Sequence, residues 1–317
     1  MRSSRVFFHT LVLFLLPLAA VVFDWSVFST LLVLIMMLAW RWLISLMAIA
    51  KPERVPELQL DSISISHFVE KVRWNMDLMG VDYVEQASGG TLGAFFLGRT
   101  VPRLRFRTGA VRSEIGNSSE ILRYLWGRYG AELGDRAAHL EPTPERVDFE
   151  GRIDSYGVSL QVWCYAHILP DRELTLRAWG IDNPEIAAWQ RSALKILYPV
   201  LATLITRSFR ISSTNVAKSR ERIEKLLEDV DTALADGRQS ILGGDKLNYT
   251  DYAFAGMSGV WLQPEHYGGG KAEHVSLERD RLPNAMRADI DRWTEDYSRA
   301  VQFVSALYRS RVVSETL

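Results

Sequence analysis

The chain has 317 residues, of which 24% are charged and 48% hydrophobic, and its formal net charge is −1. Residues 1–50 carry a net charge of +2, so residues 51–317 carry −3. This balance excludes the strongly basic body of a general nucleic-acid-binding protein. The single cysteine, Cys164, excludes an internal disulfide and a cysteine-rich metal site, and we predict no metal site.

The N-terminal region contains two apolar runs. Residues 6–23 include no charged side chain, and the apolar character of residues 27–40 resumes after Arg41 and continues to Ala50. A bilayer core is spanned by about 20 apolar residues. Because the polar stretch between the runs is short, the pattern predicts a transmembrane helical hairpin over residues 1–50.

Charges around the predicted hairpin indicate its orientation. Arginines precede the first run, while Lys51 and Arg54 follow the second. Basic residues favour the cytoplasmic side, so we expect a protein of the inner, cytoplasmic membrane whose body faces the cytoplasm. The alternative is that residues 1–20 are a signal peptide cleaved after "PLAA", with the second run anchoring a body outside the cytoplasm.

The next region is predicted to be an α/β domain over residues 58–135, preceded by a proline-containing linker at 51–57. "LQLDSIS" alternates like a strand, and a helical pattern follows from His67 to Gly80. A second strand, a hairpin around Thr108 and a helix capped by Asn117 or Ser118 complete it. The order strand, helix, strand, strand, strand, helix is that of a thioredoxin-like domain.

Residues 140–317 are predicted to form an all-helical domain. Helical periodicity covers residues 143–170, 184–210, 215–236, 248–262 and 284–309. Asn248 and Asp251 have the spacing of a capping box at the start of one helix. We interpret this pair as structural.

Four motifs give residues 58–310 a resemblance to the glutathione transferase family. "SHFVEKVRW" is similar to the start of that family's first helix, and "TVPRL" resembles its loop with a cis-proline. "IGNSSEILRYL" and "GGDKLNYTDYAFA" resemble two further helix openings. The resemblance implies a thioredoxin-like half joined to an all-α half, with glutathione as co-substrate; it does not cover residues 1–50.

Ser66 is the catalytic candidate that this resemblance implies. A hydroxyl at a helix N-terminus can donate to the glutathione sulfur and favour the thiolate. The alternative is that Ser66 only caps the helix. Ser66 and Val69 stand where a redox motif has cysteines, which excludes cycling through a protein dithiol.

The resemblance also implies a glutathione-binding set. The backbone of Val101, before a cis Pro102, pairs with the ligand's cysteine like an added strand. The helix beginning at Asn117, Ser118 and Ser119 receives a carboxylate. Asn117 replaces an acidic residue that would meet the ligand's ammonium, and Glu114 or Glu120 are candidates to compensate. Simple helix capping is the alternative for this helix start.

Arg103 belongs to a strand whose arginines at 103, 105 and 107 share one face. This face is either exposed to solvent or in contact with anionic lipid; alternatively, Arg103 or Arg105 binds a ligand carboxylate.

The acceptor pocket is expected between the two halves. His67 is either a substrate-positioning residue or a surface histidine in a turn. Aromatic residues of the first long helix and its exit are the other candidates, with core packing as the alternative: Trp163, Tyr165 and Trp179.

The sequence therefore predicts a bacterial-type, membrane-anchored glutathione transferase acting on an apolar electrophile. The alternatives are a non-catalytic binding protein or scaffold with the same fold, and a glutathione-dependent lyase or isomerase. The sequence leaves a homodimer open.

Overall fold

The structure, a computed structural model, describes residues 15, 19–20, 22–50, 56–87, 92, 101–108 and 111–315. The chain divides into two compact units. One consists of Met1–Glu57 with Phe106–Ser113, and the other of Leu58–Arg105 with Glu114–Leu317. The predicted boundary between an α/β and a helical domain near residues 135–140 stays a prediction.

In the first unit, helix α1 spans Val27–Ala50. It exposes large apolar side chains along its length, among them Phe28, Ile35 and Trp42. Among the residues that the structure describes, no helix is both long and apolar enough to cross a membrane. The predicted transmembrane hairpin is therefore not confirmed, and most of its first run, residues 6–23, lies outside the described residues.

A four-stranded sheet has the strand order β2–β1–β3–β4. Strands β1 and β2 are parallel, with Leu58 opposite Tyr83 and Ser62 opposite Ala87. Helix α2 joins these two strands and helix α3 follows β4, which is the predicted thioredoxin-like order. The bounds are β1 Glu57–Ser62, α2 His67–Met79, β2 Tyr83–Ala87, β3 Arg103–Thr108, β4 Val111–Gly116 and α3 Ser118–Leu133.

The longer elements that follow α3 are all helices, as predicted, joined by turns and short 3₁₀ segments, and they differ from the prediction in two details. A short helix, α5, was not predicted, and the single helix expected over 284–309 is two helices. Asp231 stabilises the break, because its carboxylate accepts the N–H groups of Arg299 at 2.8 Å and Ala300 at 3.1 Å. The bounds are α4 Pro144–Ile168, α5 Arg172–Ala178, α6 Ala188–Ser208, α7 Ser213–Ala233, α8 Tyr249–Leu262, α9 Asn284–Asp296 and α10 Ser298–Glu315.

Helix α2 is buried against α8. A Cβ atom at Gly256 of α8 would lie 3.2 Å from the backbone nitrogen of Lys71, so glycine permits this close approach. Three charged residues of α2, Glu70, Lys71 and Arg73, are buried in ion pairs, and Glu70 contacts Arg73 and Arg311, each at 2.5 Å. These contacts fix the helix whose N-terminus carries Ser66.

Candidate functional site

Ser66 lies between β1 and α2 and caps the helix. Its backbone is extended (φ −70°, ψ 118°), and its Oγ accepts a hydrogen bond from the Val69 N–H at 3.4 Å. A hydroxyl has one hydrogen to donate and two lone pairs to accept with. The cap uses only a lone pair, so the hydroxyl hydrogen remains available for another acceptor. The capping and thiolate hypotheses for Ser66 are therefore compatible.

A cavity of about 650 Å³, here called the polar cavity, brings together several predicted residues. Val101, Pro102, Asn117 and Ser118 all line it. The Val101–Pro102 bond is cis, which confirms that part of the prediction. The other lining residues are Phe68, Gly116, Asp154, Ser155, Val158 and Arg222.

The start of α3 forms one end of the polar cavity. Asn117 has a positive φ of 68°, and its Oδ1 accepts the N–H of Ser119 at 2.9 Å. Ser118 is buried at the first position of the helix. A helix N-terminus presents free N–H groups to an anion, so this end of the cavity suits a carboxylate.

Asp154 of α4 supplies the carboxylate of the polar cavity. It accepts hydrogen bonds from the fully buried Lys71 ammonium at 2.7 Å and from the Ser119 hydroxyl at 2.6 Å. The expected compensating residues do not line the cavity, and Glu114 instead pairs with Arg103 at 3.3 Å. Ser119 thus contacts Asp154, and Asp154, not Glu114 or Glu120, is the carboxylate that lines this cavity.

Arg103 is held by protein carboxylates. Its Nη2 donates to Asp61 at 2.8 Å, and its side chain is buried and lines neither cavity described here. Arg105 also pairs with Asp61, and Arg107 pairs with Glu57. Arg103 thus has protein partners, and its binding of a ligand stays a prediction, as does a lipid-facing arginine surface on β3.

A second cavity, here called the apolar cavity, has a volume of about 200 Å³. Val101 lines both cavities, so the cis-proline loop borders each of them. Ser66 and His67 line the apolar cavity together with predominantly apolar side chains, including Tyr165, Trp179, Ile205 and Phe209.

His67 is buried, which overturns its interpretation as a surface residue. Its Nε2–H donates to the carbonyl of Gly157 at 2.9 Å, and this contact joins α2 to α4. Burial lowers the pKa of His67 to about 4. The imidazole is therefore neutral at pH 7 and offers no positive charge to a thiolate.

The predicted aromatic pocket residues separate into two groups. Tyr165 and Trp179 line the apolar cavity, whereas Trp163 does not. Trp163 is fully buried, packs against Trp293 with the two rings tilted by 45°, and donates its indole N–H to Asp289 at 2.9 Å. Trp163 is therefore a core residue, and its assignment to the pocket is corrected.

Cys164 also lines the apolar cavity. Burial raises the pKa of its thiol to about 12. Since the thiolate is the reactive form, Cys164 is an apolar wall of the cavity and not a nucleophile. Among the described residues, no group of His, Cys, Asp and Glu side chains is placed to hold a metal ion.

Sequence reasoning missed two charged residues of the polar cavity, Asp154 and Arg222. Each lies within a long helix and outside the motifs that carry the resemblance. The acidic candidates predicted from the sequence were instead those near Asn117 in the chain, because a sequence shows neighbours along the chain but not contacts between α3 and α4.

The sequence matches no family model and no curated protein. Similar solved structures include a glutathione S-transferase from Methylobacterium radiotolerans with glutathione sulfonate, at 16% identity over 79% of this chain and 90% of that one, with a TM-score of 0.45. A glutathione S-transferase from Rhodospirillum rubrum has 16% identity over 79% and 87%, with a TM-score of 0.39. A maleylacetoacetate isomerase from Anaeromyxobacter dehalogenans, with bound dicarboxyethyl glutathione and citrate, has 16% identity over 79% and 92%, with a TM-score of 0.36. These likenesses assign no activity to the chain.

Proposed function

We propose that this protein binds glutathione in the polar cavity and conjugates it to a small apolar electrophile held in the apolar cavity. The observation that carries the proposal is that Val101 borders both cavities, a position here called their junction, and that Ser66 lines the apolar one. A thiol presented at this junction faces both a hydroxyl donor and an apolar compartment. Glutathione derivatives are bound to two of the similar proteins named above, and the same ligand class is proposed here on the residues of this chain.

The charges of the polar cavity match those of glutathione, which has two carboxylates and one ammonium. The N-terminus of α3 at Ser118 is proposed to receive the γ-glutamyl carboxylate. Asp154 then meets the neighbouring ammonium, and the exposed Arg222 pairs with the second carboxylate. The Val101 main chain pairs with the central cysteine.

Ser66 is proposed to favour the thiolate by donating its free hydrogen to the sulfur. The thiol pKa, near 8.5 for a free cysteine, is lowered when the charged form gains a hydrogen bond. The N-terminal end of α2 adds a favourable dipole. The proton leaves to water, the sulfur electron pair forms the new carbon–sulfur bond, and the leaving group of the electrophile departs with its bonding pair.

The proposal is tested by two measurements on the full chain: glutathione binding by calorimetry, and conjugation of glutathione to a generic aryl halide. Binding with turnover supports a transferase. Binding without turnover of any electrophile indicates a binding protein, and no binding contradicts the proposal.

We also propose that α1 attaches the protein to the cytoplasmic face of a membrane. The exposed apolar side chains of α1 support this attachment, which does not require the helix to cross the bilayer. Leu31→Glu with Ile35→Glu, both exposed positions, should then move the protein from the membrane fraction to the supernatant. An unchanged distribution would contradict the proposal.

A further inference from the structure

Helix α6 has an apolar outer face. Trp189, Ile196 and Val200 are 68%, 76% and 49% exposed. Their spacings of seven and four residues place them on one stripe of the helix, and Arg207, seven residues after Val200, continues the same stripe. These four residues define the outer face.

The opposite face of α6 already packs in the interior. Leu194, Tyr198, Leu201 and Ile205 form a buried cluster with Leu176 and Trp179. The outer face therefore contributes nothing to this cluster. A helix that packs on one side normally exposes polar side chains on the other, and exposed apolar side chains grouped together indicate an interaction surface.

The segment that contains α6 has charged residues of one sign only. Residues 186–220 contain no acidic side chain, although the whole chain has a net charge of −1. The nearest acids before the segment are Asp182 and Glu185. The basic residues within it are Arg191, Lys195, Arg207, Arg210, Lys218 and Arg220.

We propose that the outer face of α6 docks on an anionic lipid surface. Tryptophan and aliphatic side chains insert at the headgroup boundary, and flanking lysine and arginine side chains are attracted to anionic headgroups. The segment has both features, and it carries no acid of its own, although Arg220 at its end already pairs with Asp289 at 3.0 Å and is not counted among the cations available to lipid. Arg207, within the outer face, and the exposed Lys195, next to Ile196 in the chain and able to extend a long side chain toward the same surface, are the cations proposed to contact lipid.

Docking in this manner would serve the apolar cavity. Ile205 and Phe209, at the end of α6, line that cavity. The helix thus has one surface against lipid and the other against the cavity, which brings an apolar compartment near the phase in which apolar molecules concentrate. The docking proposal itself does not depend on glutathione chemistry.

The test places an environment-sensitive fluorophore on Ile196→Cys in the full chain. Cys164 is half-buried and its thiol pKa is raised, and the unsubstituted protein measures any background labelling. Val84→Cys is the matched control, because Val84 is 68% exposed, close to the 76% of Ile196, but lies on β2. Vesicles of phosphatidylcholine with phosphatidylserine are compared with vesicles of phosphatidylcholine alone.

The proposal predicts a blue shift at position 196 and none at position 84, only with phosphatidylserine, and reversed by high salt. Each cation near an anionic membrane surface strengthens binding by a comparable factor, and the two factors multiply. Lys195→Gln with Arg207→Gln should therefore raise the lipid concentration for half-maximal response roughly 30-fold. Arg152→Gln with Lys225→Gln removes the same charge elsewhere and should change it little.

Three results would overturn the lipid proposal: no response at position 196, an equal response at both positions, or an equal response to both kinds of vesicle. A blue shift at position 196 that occurs without lipid and depends on protein concentration would also overturn it, and would indicate that the outer face binds a second copy of this chain.

Discussion

The buried ammonium of Lys71 donates a 2.7 Å hydrogen bond to Asp154, and Asp154 lines the polar cavity. Lys71 also contacts Glu150 at 2.8 Å, so its charge has a second partner. This relationship connects α2, whose N-terminus carries Ser66, to the acidic group of the proposed ligand site on α4. It makes Asp154 a fixed carboxylate and not a mobile surface residue.

Asp154→Asn should weaken glutathione binding by about 10- to 150-fold, the range expected for the loss of one hydrogen bond to a charged group. The fold should persist, because Lys71 keeps its contact with Glu150. Asp148→Asn is the control, since Asp148 is on the same helix but does not line the polar cavity. Equal calorimetric affinities for the two variants would remove Asp154 from the site.

Asn248→Ala should lower the free energy of unfolding by about 3 kcal/mol, because a cap and buried hydrogen bonds are lost together. The structure confirms the predicted capping box with Asp251, and Asn248 is also buried and donates to Ser240 at 3.0 Å. Thr143→Ala, at the cap of α4, should cost only about 1 kcal/mol. Urea denaturation measures both, and equal losses would show that burial adds nothing at Asn248.

His67 should make the protein less stable in mild acid. Its pKa is lowered from 6.5 to about 4, so the unfolded chain takes up the proton first as the pH falls. Stability is therefore fully present above pH 6.5 and is lost as the pH falls toward 4, by about 2 kcal/mol between pH 7 and pH 5.

His67→Gln removes this titration while keeping an N–H donor for Gly157. The wild type should lose about 2 kcal/mol more than the variant between pH 7 and pH 5 when both are denatured with urea. The pKa of His139 is also lowered to about 4, but His139 is present in both proteins, so its contribution to the pH dependence of stability cancels in the comparison. Parallel pH dependences would contradict the buried, neutral state of His67.

The features predicted correctly from the sequence depend on local signals. Caps at Ser66, Asn117 and Asn248 follow from side chains that bond to N–H groups two or three residues away. The alternating and helical periods likewise give the order of β1, α2 and β2. Such signals need no knowledge of the rest of the fold.

The features that were missed depend on contacts between distant parts of the chain. Arg311 pairs with Glu70 across 241 residues, and Lys71 with Asp154 across 83. In the sequence these residues resemble the polar face of a solvated helix. His67 and Trp163 show the same difficulty, since their partners Gly157 and Asp289 come from other helices.

The central claim is that the Ser66 hydroxyl favours a thiolate at the junction of the two cavities. Ser66→Ala should lower turnover of a generic aryl halide by about 10- to 150-fold, with a much smaller change in glutathione affinity. Ser66→Thr, which keeps a hydroxyl, should recover part of the rate. Urea denaturation of the wild type and both variants measures how much stability is lost with the helix cap. The decisive measurement is the pH–rate profile of Ser66→Ala. The account predicts that its midpoint moves up toward the pKa of a free thiol, and an unchanged rate and midpoint would contradict it and leave Ser66 as a helix cap alone.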